Sequence, residues 1–329
     1  MKVLVVGGAG FIGSHLVRRL RSENQRVTVL DNLSGGYATA VGDADLVVAD
    51  INNAKKLEEL FSNHKFEVVV HFASLIQVGE SVKDPEKYYV NNVAGSISLL
   101  SCMVKHNVLN LVFSSTAAVY GMPEEIPITE NHPTNPINPY GKSKLMIENI
   151  IDDFSKAYGL KAVKLRYFNA AGAAPDASLG EMHEPETHLI PLILQAASGR
   201  NSRLTVFGTD YDTPDGTCIR DYVHVEDLVT AHLLAIEFIH ERLDGATFNL
   251  GNGNGFSVNE IIKCARIVTG RPIQVEFGPR RGGDPHILIA DASKAKNELQ
   301  WHPRYSDIES IVTHAWQWET NLCARFSKP

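Results

Sequence analysis

The chain has 329 residues, of which 44% are hydrophobic and 21% charged, and its formal net charge at pH 7 is −7. This composition is ordinary for a globular protein with a large buried core, and it excludes a disordered or membrane-embedded chain. The acidic balance, without a basic stripe along the chain, argues against a nucleic-acid-binding surface.

In the first half of the chain, short apolar runs alternate with helical patterns. The predicted strands are 3–6, 27–30, 46–49, 68–72, 111–114 and 162–166. The predicted helices are 14–23, 54–63, 86–106 and 140–158. Continuous apolar strands that alternate with helices indicate a parallel sheet covered on both faces. We therefore predict an α/β protein with a Rossmann-like, doubly wound parallel sheet.

The pattern changes after Asn169. The segment 170–186 is rich in alanine, glycine, proline and acidic residues, and glycines break the shorter elements beyond it at 251–255 and 278–283. We predict a dinucleotide-binding domain at 1–169 and a smaller α/β C-terminal lobe at 170–329. Some segments of the second half are expected to return to the first domain.

The cysteines and apolar runs bear on the compartment of the protein. The four cysteines are widely spread and form no paired spacing: Cys102, Cys218, Cys264 and Cys323. Because a chain of this size needs no disulfide to fold, we expect reduced thiols. The run at 3–6 is too short for a signal peptide, and no stretch approaches the length that spans a bilayer. The sequence therefore predicts a soluble, cytoplasmic protein with no membrane partner.

A glycine-rich segment follows the first predicted strand, with the spacing Gly7-x-x-Gly10-x-x-Gly13. Glycines at such a turn let the backbone approach a pyrophosphate, whose charge lies at the N-terminus of the next helix. Asp31 ends the second strand, where a carboxylate can accept the ribose 2′-hydroxyl. No arginine or lysine follows at 32–34 to neutralise a 2′-phosphate. The predicted cofactor is therefore NAD rather than NADP.

A second motif, Tyr140-Gly141-Lys142-Ser143-Lys144, opens the fourth predicted helix. Tyr140 and Lys144, at i and i+4, share one helix face. A tyrosine pKa near 10 is too high for a base at neutral pH, but an ammonium and a positive nicotinamide ring both lower it. The pair also occurs at the start of ordinary amphipathic helices. Together with the glycine segment and Ser114-Ser115-Thr116 at the end of a predicted strand, it favours a redox site.

In this order, the motifs resemble the extended short-chain dehydrogenase/reductase superfamily, and within it the UDP-glucose 4-epimerase family. Further runs carry the resemblance through most of the chain: Val119-Tyr120-Gly121, Leu165-Arg166-Tyr167-Phe168-Asn169, Arg220-Asp221-Tyr222-Val223-His224-Val225 and Ala290-Asp291-Ala292-Ser293-Lys294-Ala295. The resemblance implies NAD-dependent epimerisation at C4 of a UDP-sugar, UDP-glucose or UDP-galactose above all. Hydride would pass to NAD, the 4-keto sugar would turn over, and hydride would return to its opposite face.

The resemblance also implies the roles of the site residues. Tyr140 would be the base, Lys144 would lower its pKa and hold the nicotinamide ribose, and Thr116 would hydrogen-bond the 4-oxygen. The implied cofactor-binding residues are Gly7, Gly10, Phe11, Ile12, Gly13, Asp31, Asn32, Leu33, Ser34, Asp50, Ile51, Phe72, Ala73, Ser74, Asn91, Ser114, Tyr140, Lys144 and Phe168. The implied substrate-binding residues, mainly in the second lobe, are Thr116, Tyr140, Asn169, His188, Leu189, Phe207, Arg220, Arg281, Asp284 and Leu288.

The resemblance also implies that two arginines face the diphosphate, where a guanidinium can bond two phosphate oxygens at once. These are Arg220 and Arg281, with Leu189 and Phe207 near the uracil. The alternative for Arg220 is a surface arginine paired with its neighbour Asp221.

The chain departs from the family pattern at three positions. Ile76 replaces the usual lysine after the fourth strand, which puts one NAD contact in doubt. His188 replaces an asparagine, and it either contacts the uridine side or caps a helix. Leu288 stands where galactose-specific members tend to carry tyrosine. Because leucine is smaller, UDP-N-acetylglucosamine and UDP-pentoses stay open as substrates.

The same residues bear on two other classes of function, a sugar-nucleotide dehydratase or decarboxylase and an NAD-sensing regulator. A sugar-nucleotide dehydratase or decarboxylase begins with the same oxidation, but a 4,6-dehydratase typically carries acids where Ala117 and Ala118 stand here. An NAD-sensing regulator would not need Tyr140 and Lys144.

Two further expectations concern metals and assembly. The segment from His183 to His188 contains a proline and lacks the i, i+4 spacing of a helical zinc site, so no metal is expected. The helices 86–106 and 140–158 resemble those that pair across the family's homodimer, so a homodimer is expected. The alternative is that the outer apolar faces of these helices are covered within the monomer.

Overall fold

The computed structural model describes residues 1–241, 245–280 and 284–326. Its strands are β1 (Lys2–Val6), β2 (Arg26–Asp31), β3 (Asp45–Val48), β4 (Val68–His71), β5 (Asn110–Thr116), β6 (Lys161–Tyr167), β7 (Asn169–Ala171), β8 (Leu204–Phe207), β9 (Ile219–His224), β10 (Ala246–Leu250), β11 (Gly255–Ser257), β12 (Val275–Gly278) and β13 (Ile287–Leu288). Its α-helices are α1 (Phe11–Ser22), α2 (Ala54–Asn63), α3 (Val78–Lys83), α4 (Pro85–Tyr88), α5 (Gly95–Lys105), α6 (Pro139–Tyr158), α7 (Leu189–Ser198), α8 (Val225–Glu241), α9 (Val258–Thr269), α10 (Ser293–Glu298) and α11 (Ile308–Phe326).

Among the described residues, the main sheet has seven parallel strands in the order β10-β6-β5-β4-β1-β2-β3. The strand order reverses at β1, because β2 and β3 lie on one side of it and β4 on the other. In a doubly wound sheet, ligands bind at the carboxyl ends of the strands beside such a reversal. The predicted Rossmann-like fold is confirmed.

The two faces of the sheet bury separate apolar clusters, because successive side chains of a strand point to opposite faces. In β1, Val3 and Val5 join the cluster that contains residues of α1 and α8. Leu4 and Val6 join the opposite cluster, which contains residues of α2 and α5. All four side chains are at most 1% exposed, which explains why this strand is apolar throughout instead of alternating.

The second half of the chain contributes to both parts of the molecule. A smaller sheet has the order β11-β9-β13, with β7 also paired to β9, and β8 pairs with β12. A third apolar cluster joins it to α7, α9 and α11, so the predicted smaller α/β lobe is confirmed. The strand β10, which the sequence analysis did not predict, extends the main sheet beside β6, and α8 packs against α1. The domain boundary at 169–170 stays a prediction.

Capping side chains set several helix starts. The Asn53 side chain accepts a hydrogen bond from the Lys56 N–H at the start of α2. Ser257 and Glu260 form a capping box at the start of α9. Such caps satisfy N–H groups that have no partner inside the helix.

The predicted helix 86–106 is interrupted. The structure has α4, then a π-helical segment at Tyr89–Ala94, then α5. Asn92 lies in the π segment and is 1% exposed. Its amide donates to the Leu75 carbonyl at 3.1 Å and to Ser143 Oγ at 3.1 Å, and its oxygen accepts from the Leu75 N–H at 2.8 Å. The π-helical segment thus places the buried Asn92 amide where its hydrogen bonds connect the chain after β4 to α6.

No helix in the described part of the chain has the length and apolar character needed to cross a membrane.

Candidate active site

Several of the predicted cofactor residues lie at or near the carboxyl ends of the main-sheet strands. Gly7 follows β1, Asp31 ends β2, Phe72 follows β4, and Phe168 follows β6. Ser114 lies inside β5, two residues before its end at Thr116. The sheet topology therefore brings residues that are far apart in sequence to one edge.

Glycine is present at the three positions of the first turn for different structural reasons. Gly7 has a φ of +81°, and a Cβ there would lie 2.5 Å from the Ala73 nitrogen. A Cβ at Gly13 would collide with the Gly7 carbonyl. At Gly10 the nearest atom to a built Cβ is 3.5 Å away, so the protein alone does not require glycine there. Gly10 is the N-cap of α1, whose first turn has no acidic residue. This open, positive helix end fits a pyrophosphate.

The Asp31 carboxylate is fixed at the end of β2. One oxygen accepts from the Ala9 N–H at 2.9 Å, and the other accepts from the Leu33 N–H at 2.8 Å. Each oxygen keeps a lone pair that can accept a ribose hydroxyl. Nearby, Asn32 Nδ2 donates to Asp50 Oδ2 at 2.8 Å, so two more predicted residues are in contact. The oriented Asp31 carboxylate at this edge of the sheet fits the ribose of NAD.

The first turn of α6 positions Tyr140. Asn138 is the N-cap, and its oxygen accepts from the Gly141 N–H at 2.9 Å, while Pro139 occupies the first helical position. A Cβ at Gly141 would lie 2.5 Å from the Ala118 carbonyl oxygen, so glycine lets α6 pack closely on the turn after β5. The Tyr140 hydroxyl hydrogen-bonds to Thr116, the last residue of β5.

Lys144 lies one helical turn after Tyr140 and is 2% exposed. Its ammonium donates to the Ser114 main-chain oxygen at 3.0 Å. Burial lowers the pKa of Lys144 to about 7, although the Glu148 carboxylate acts in the opposite direction. Glu148 is itself occupied by the Arg166 guanidinium at 2.9 Å and by Ser115 Oγ at 2.5 Å. The charge on Lys144 is therefore energetically costly and available to a ligand.

The pKa of Tyr140 moves against the expected direction. Burial raises it, and only the hydrogen bond to Thr116 opposes that rise. The expected lowering is not observed in the protein alone, because burial disfavours the charged phenolate more than Thr116 favours it.

Two further tyrosines, which the sequence analysis missed, interact electrostatically with Tyr140. Tyr167 ends β6, and its hydroxyl contacts Ser114 Oγ. Tyr88 donates to Glu80 Oε2 at 2.9 Å and to the Gln77 carbonyl at 2.7 Å. Burial raises the pKa of both hydroxyls. The sequence signal for Tyr167 was only its place at the end of a predicted strand.

On the other side of the site, Arg220 of β9 is 8% exposed. Its guanidinium pairs with the Asp284 carboxylate and donates to the Ile219 carbonyl at 2.8 Å. The alternative pairing with Asp221 is wrong. The Asp221 oxygens instead accept from the N–H groups of Asn252 and Gly253, at 2.8 and 3.0 Å. Arg281 lies outside the described residues.

The remaining predicted substrate residues come from separate elements. Asn169 begins β7, Leu189 begins α7, and Phe207 ends β8. Leu288 pairs with Arg220 across β13 and β9. It also packs against the apolar cluster that contains Ala117 and Phe168. The proposed gate residue thus lies near the end of β5, where Thr116 is.

The structure shows the environment of two residues that depart from the family pattern, Ile76 and His188. Ile76 is 38% exposed. His188 is the N-cap residue of α7, but its side chain makes no capping hydrogen bond, so a capping role is wrong. Its Nδ1 lies 2.9 Å from Glu181 Oε1 and 3.0 Å from Glu186 Oε1. Burial lowers its pKa, but these carboxylates outweigh burial and raise it to about 10.

Comparison with known proteins gives matches over nearly the whole chain. Residues 3–251 match the model of the NAD dependent epimerase/dehydratase family. Over 318 residues the chain is 52% identical to a UDP-glucose 4-epimerase of Halalkalibacterium halodurans, covering 97% of this chain and 95% of that one. The crystal structure of UDP-glucose 4-epimerase from Brucella ovis in complex with NAD matches with a TM-score of 0.93 and 48% identity, over 97% and 98% of the two chains. The enzyme from Bifidobacterium longum in complex with NAD+ and UDP matches with a TM-score of 0.94 and 39% identity, over 98% of each chain.

Proposed function

The chain belongs to the NAD-dependent epimerase/dehydratase family, and from this we infer that it interconverts UDP-glucose and UDP-galactose by epimerisation at C4. Its cofactor is NAD, and its substrates are UDP-sugars. The observation that carries the assignment is the Tyr140 hydroxyl hydrogen-bonded to Thr116, four residues before the buried Lys144. Ala117 and Ala118 follow Thr116, so no acid stands where a dehydratase would need one.

The roles of the catalytic residues follow from their positions. When bound, NAD supplies reversible hydride acceptance at C4. Tyr140 takes the proton of the 4-hydroxyl and later returns it. Thr116, hydrogen-bonded to Tyr140, holds the 4-oxygen in line with that hydroxyl. Lys144 uses one N–H on the Ser114 carbonyl, which leaves two for the Tyr140 oxygen and a ribose hydroxyl.

The diphosphate is assigned to the side of β9. The Asp284 carboxylate orients the Arg220 guanidinium, and a buried, oriented guanidinium suits two phosphate oxygens. Asn169, Leu189 and Phe207 are proposed to contact the rest of the nucleotide, with Arg281 as a second cation for the diphosphate.

The assignment is tested by proton NMR of the products formed from UDP-galactose. We expect UDP-glucose to accumulate to equilibrium without net formation of NADH. A 4-keto-6-deoxy product would identify a dehydratase instead. Absence of turnover on every UDP-sugar supplied would favour a regulator that only binds NAD.

The size of residue 288 is proposed to set the choice of sugar. In Leu288→Tyr we expect kcat/KM for UDP-N-acetylglucosamine, relative to UDP-glucose, to fall about tenfold, because the larger side chain fills space beside the cluster of Ala117 and Phe168. Ile287→Val, in the same short strand, is the control and should leave the ratio unchanged. If this ratio of kcat/KM values is unchanged in Leu288→Tyr, residue 288 does not determine the choice of sugar.

We also propose that the protein is a homodimer. Apolar side chains are exposed along the segments that carry α3 to α5 and on α6: Val82 at 61%, Val90 at 54%, Ile97 at 40% and Met146 at 44%. A second copy would cover this face in a two-fold contact. We expect analytical ultracentrifugation to give twice the chain mass, and Val90→Glu with Ile97→Glu to give one chain mass. Ile267→Glu, at a 71% exposed position on α9, should leave the dimer intact.

A cytoplasmic location is proposed from the thiols. Cys102 and Cys264 carry free thiols. Free thiols persist in a reducing compartment.

A further inference from the structure

A cluster of two histidines and two glutamates lies outside the catalytic residues, in the loop before α7. Its members are Glu181, His183, Glu186 and His188. One ligand atom from each lies within 4.8 Å of all the others. The side chains of Glu181 and Glu186 are only 6% and 5% exposed. The His183 and His188 side chains are 17% and 37% exposed. Four chemically suitable groups from eight consecutive residues therefore converge on one small, partly buried volume.

The separations within the cluster match those of a metal site. His183 Nδ1 lies 3.3 Å from Glu181 Oε1 and 3.6 Å from Glu186 Oε2. His188 Nδ1 lies 2.9 Å from Glu181 Oε1 and 3.0 Å from Glu186 Oε1. In a tetrahedral site with metal–ligand bonds of about 2.0 Å, neighbouring ligand atoms are about 3.3 Å apart. These four nitrogen–oxygen separations, which involve both oxygens of Glu186, lie on either side of that value, and one ligand atom from each residue lies within 4.8 Å of the others.

The orientation of His183 gives a second indication. Its Nδ1 is buried and makes no hydrogen bond of good geometry within the described part of the chain. Both carboxylates are nevertheless within 4 Å of this nitrogen. The nitrogen therefore points between the two carboxylates instead of at either one, which is how a ligand faces a shared cation.

The charge balance of the cluster is compatible with a divalent ion. Across the described ranges, the ion pairs of the Glu181 and Glu186 carboxylates are all with His183 and His188, and none is with lysine or arginine. Two carboxylates with so little exposure need two positive charges. One divalent cation between neutral imidazoles supplies them, and so do two protonated imidazoles, since burial is outweighed by the carboxylates, which raise the pKa of His183 to about 9 and that of His188 to about 10.

The loop is held from outside the cluster as well. Glu186 Oε1 accepts from the N–H groups of Thr187 and His188, both at 2.8 Å. Trp318 of α11 donates to the Glu181 main-chain oxygen at 2.9 Å. Contacts of this kind orient metal ligands before the ion arrives.

We propose that Glu181, His183, Glu186 and His188 bind one Zn²⁺ ion in a closed structural site that fixes the loop before α7. Mixed nitrogen and oxygen ligands in a tetrahedral arrangement suit zinc, whereas magnesium and calcium prefer oxygen ligands alone. The sequence argument against a metal used the proline in this segment and the missing i, i+4 spacing, and both apply to a site on a helix. Here a loop supplies the ligands, so that argument does not apply. The proposal is independent of the catalytic assignment.

The test measures zinc in the tag-free, full-length holoenzyme after gel filtration, by plasma mass spectrometry. We expect one zinc per chain in the wild type. His183→Ala is expected to bind zinc more than about 100-fold more weakly and to lose it in gel filtration. Glu184→Gln is the matched control, since it changes an exposed glutamate of the same loop that is outside the cluster. It should keep one zinc.

A second measurement depends on no variant. Chelator-treated wild type is titrated with Co²⁺, which should give the intense visible absorption of a tetrahedral site at one equivalent, and Zn²⁺ should abolish that absorption. The proposal is overturned if the wild type neither carries zinc nor binds Co²⁺ at micromolar concentrations, since the cluster is then only an ion-pair network. Equal zinc contents in wild type and His183→Ala would overturn it as well.

Discussion

Replacing Tyr140 by phenylalanine is expected to lower kcat for UDP-galactose about a thousandfold, with little change in KM. The variant keeps the ring but loses the hydroxyl that hydrogen-bonds to Thr116, so no group there can take the proton of the 4-hydroxyl. General acid–base catalysis contributes roughly 10²- to 10⁴-fold, which sets the size of the effect. Steady-state kinetics measured by product NMR give both constants.

The control is Tyr158→Phe, which removes a hydroxyl from the last residue of the same helix, at a 54% exposed position. Its kcat should equal that of the wild type. The NAD content of Tyr158→Phe should also equal that of the wild type, because Tyr158 is not among the predicted cofactor-binding residues. Full turnover by Tyr140→Phe would mean that another group moves the proton, and the catalytic assignment would fail.

The parts of the fold that the sequence predicts are those with local causes. The glycine at position 7 is recognisable because the turn itself needs a positive φ. The buried strands are recognisable because both faces of the sheet are covered. By contrast, nothing within 246–250 says that β10 joins β6 at the edge of the main sheet. The π segment is also invisible, because it depends on contacts of Asn92 with residues 17 and 51 positions away.

The same division applies to the site. The spacing of Tyr140 and Lys144 predicts a shared helix face, but the pKa of Tyr140 depends on burial, which the motif does not encode. The partner of Arg220 is Asp284, 64 residues away, and not the adjacent Asp221. The cluster of Glu181 and His188 was judged by helical spacing, whereas a loop brings its ligand atoms together. In each case the sequence shows which residue types are present, but it does not show which of them lie close together in the folded protein.

Replacing Lys144 by methionine is expected to inactivate the enzyme and to stabilise it. Without the ammonium, the site loses the cation that the proposed mechanism assigns to the Tyr140 oxygen and a ribose hydroxyl, and kcat should fall at least about a hundredfold. Methionine fills a similar volume without a charge, so the variant no longer buries an ammonium. Because burial lowers the pKa of Lys144 from 10.5 to about 7, the gain in unfolding free energy should be on the order of 2–4 kcal/mol at neutral pH.

The pH dependence identifies the cause of that stabilisation. Below about pH 7 the lysine is protonated in both folded and unfolded chains, and the folded protein bears the full cost of the buried charge. Between about pH 7 and 10.5 the unfolded chain binds more protons than the folded one, so wild-type stability rises with pH. The advantage of Lys144→Met should therefore be largest at or below pH 7 and shrink as pH rises. Urea unfolding at about pH 6.5, 8 and 9.5 measures this trend.

A second lysine supplies the contrast. Lys164 has a side chain that is 11% exposed and donates to Asp152 Oδ1 at 2.6 Å. Lys164→Met removes that ion pair, so it should not stabilise the protein, and kcat should stay near the wild-type value. If Lys144→Met lowered the stability at pH 6.5 as much as Lys164→Met does, the ammonium of Lys144 would have to be well compensated in the folded protein. Its charge would then stabilise the folded protein, and it would not be available to interact with the cofactor and Tyr140.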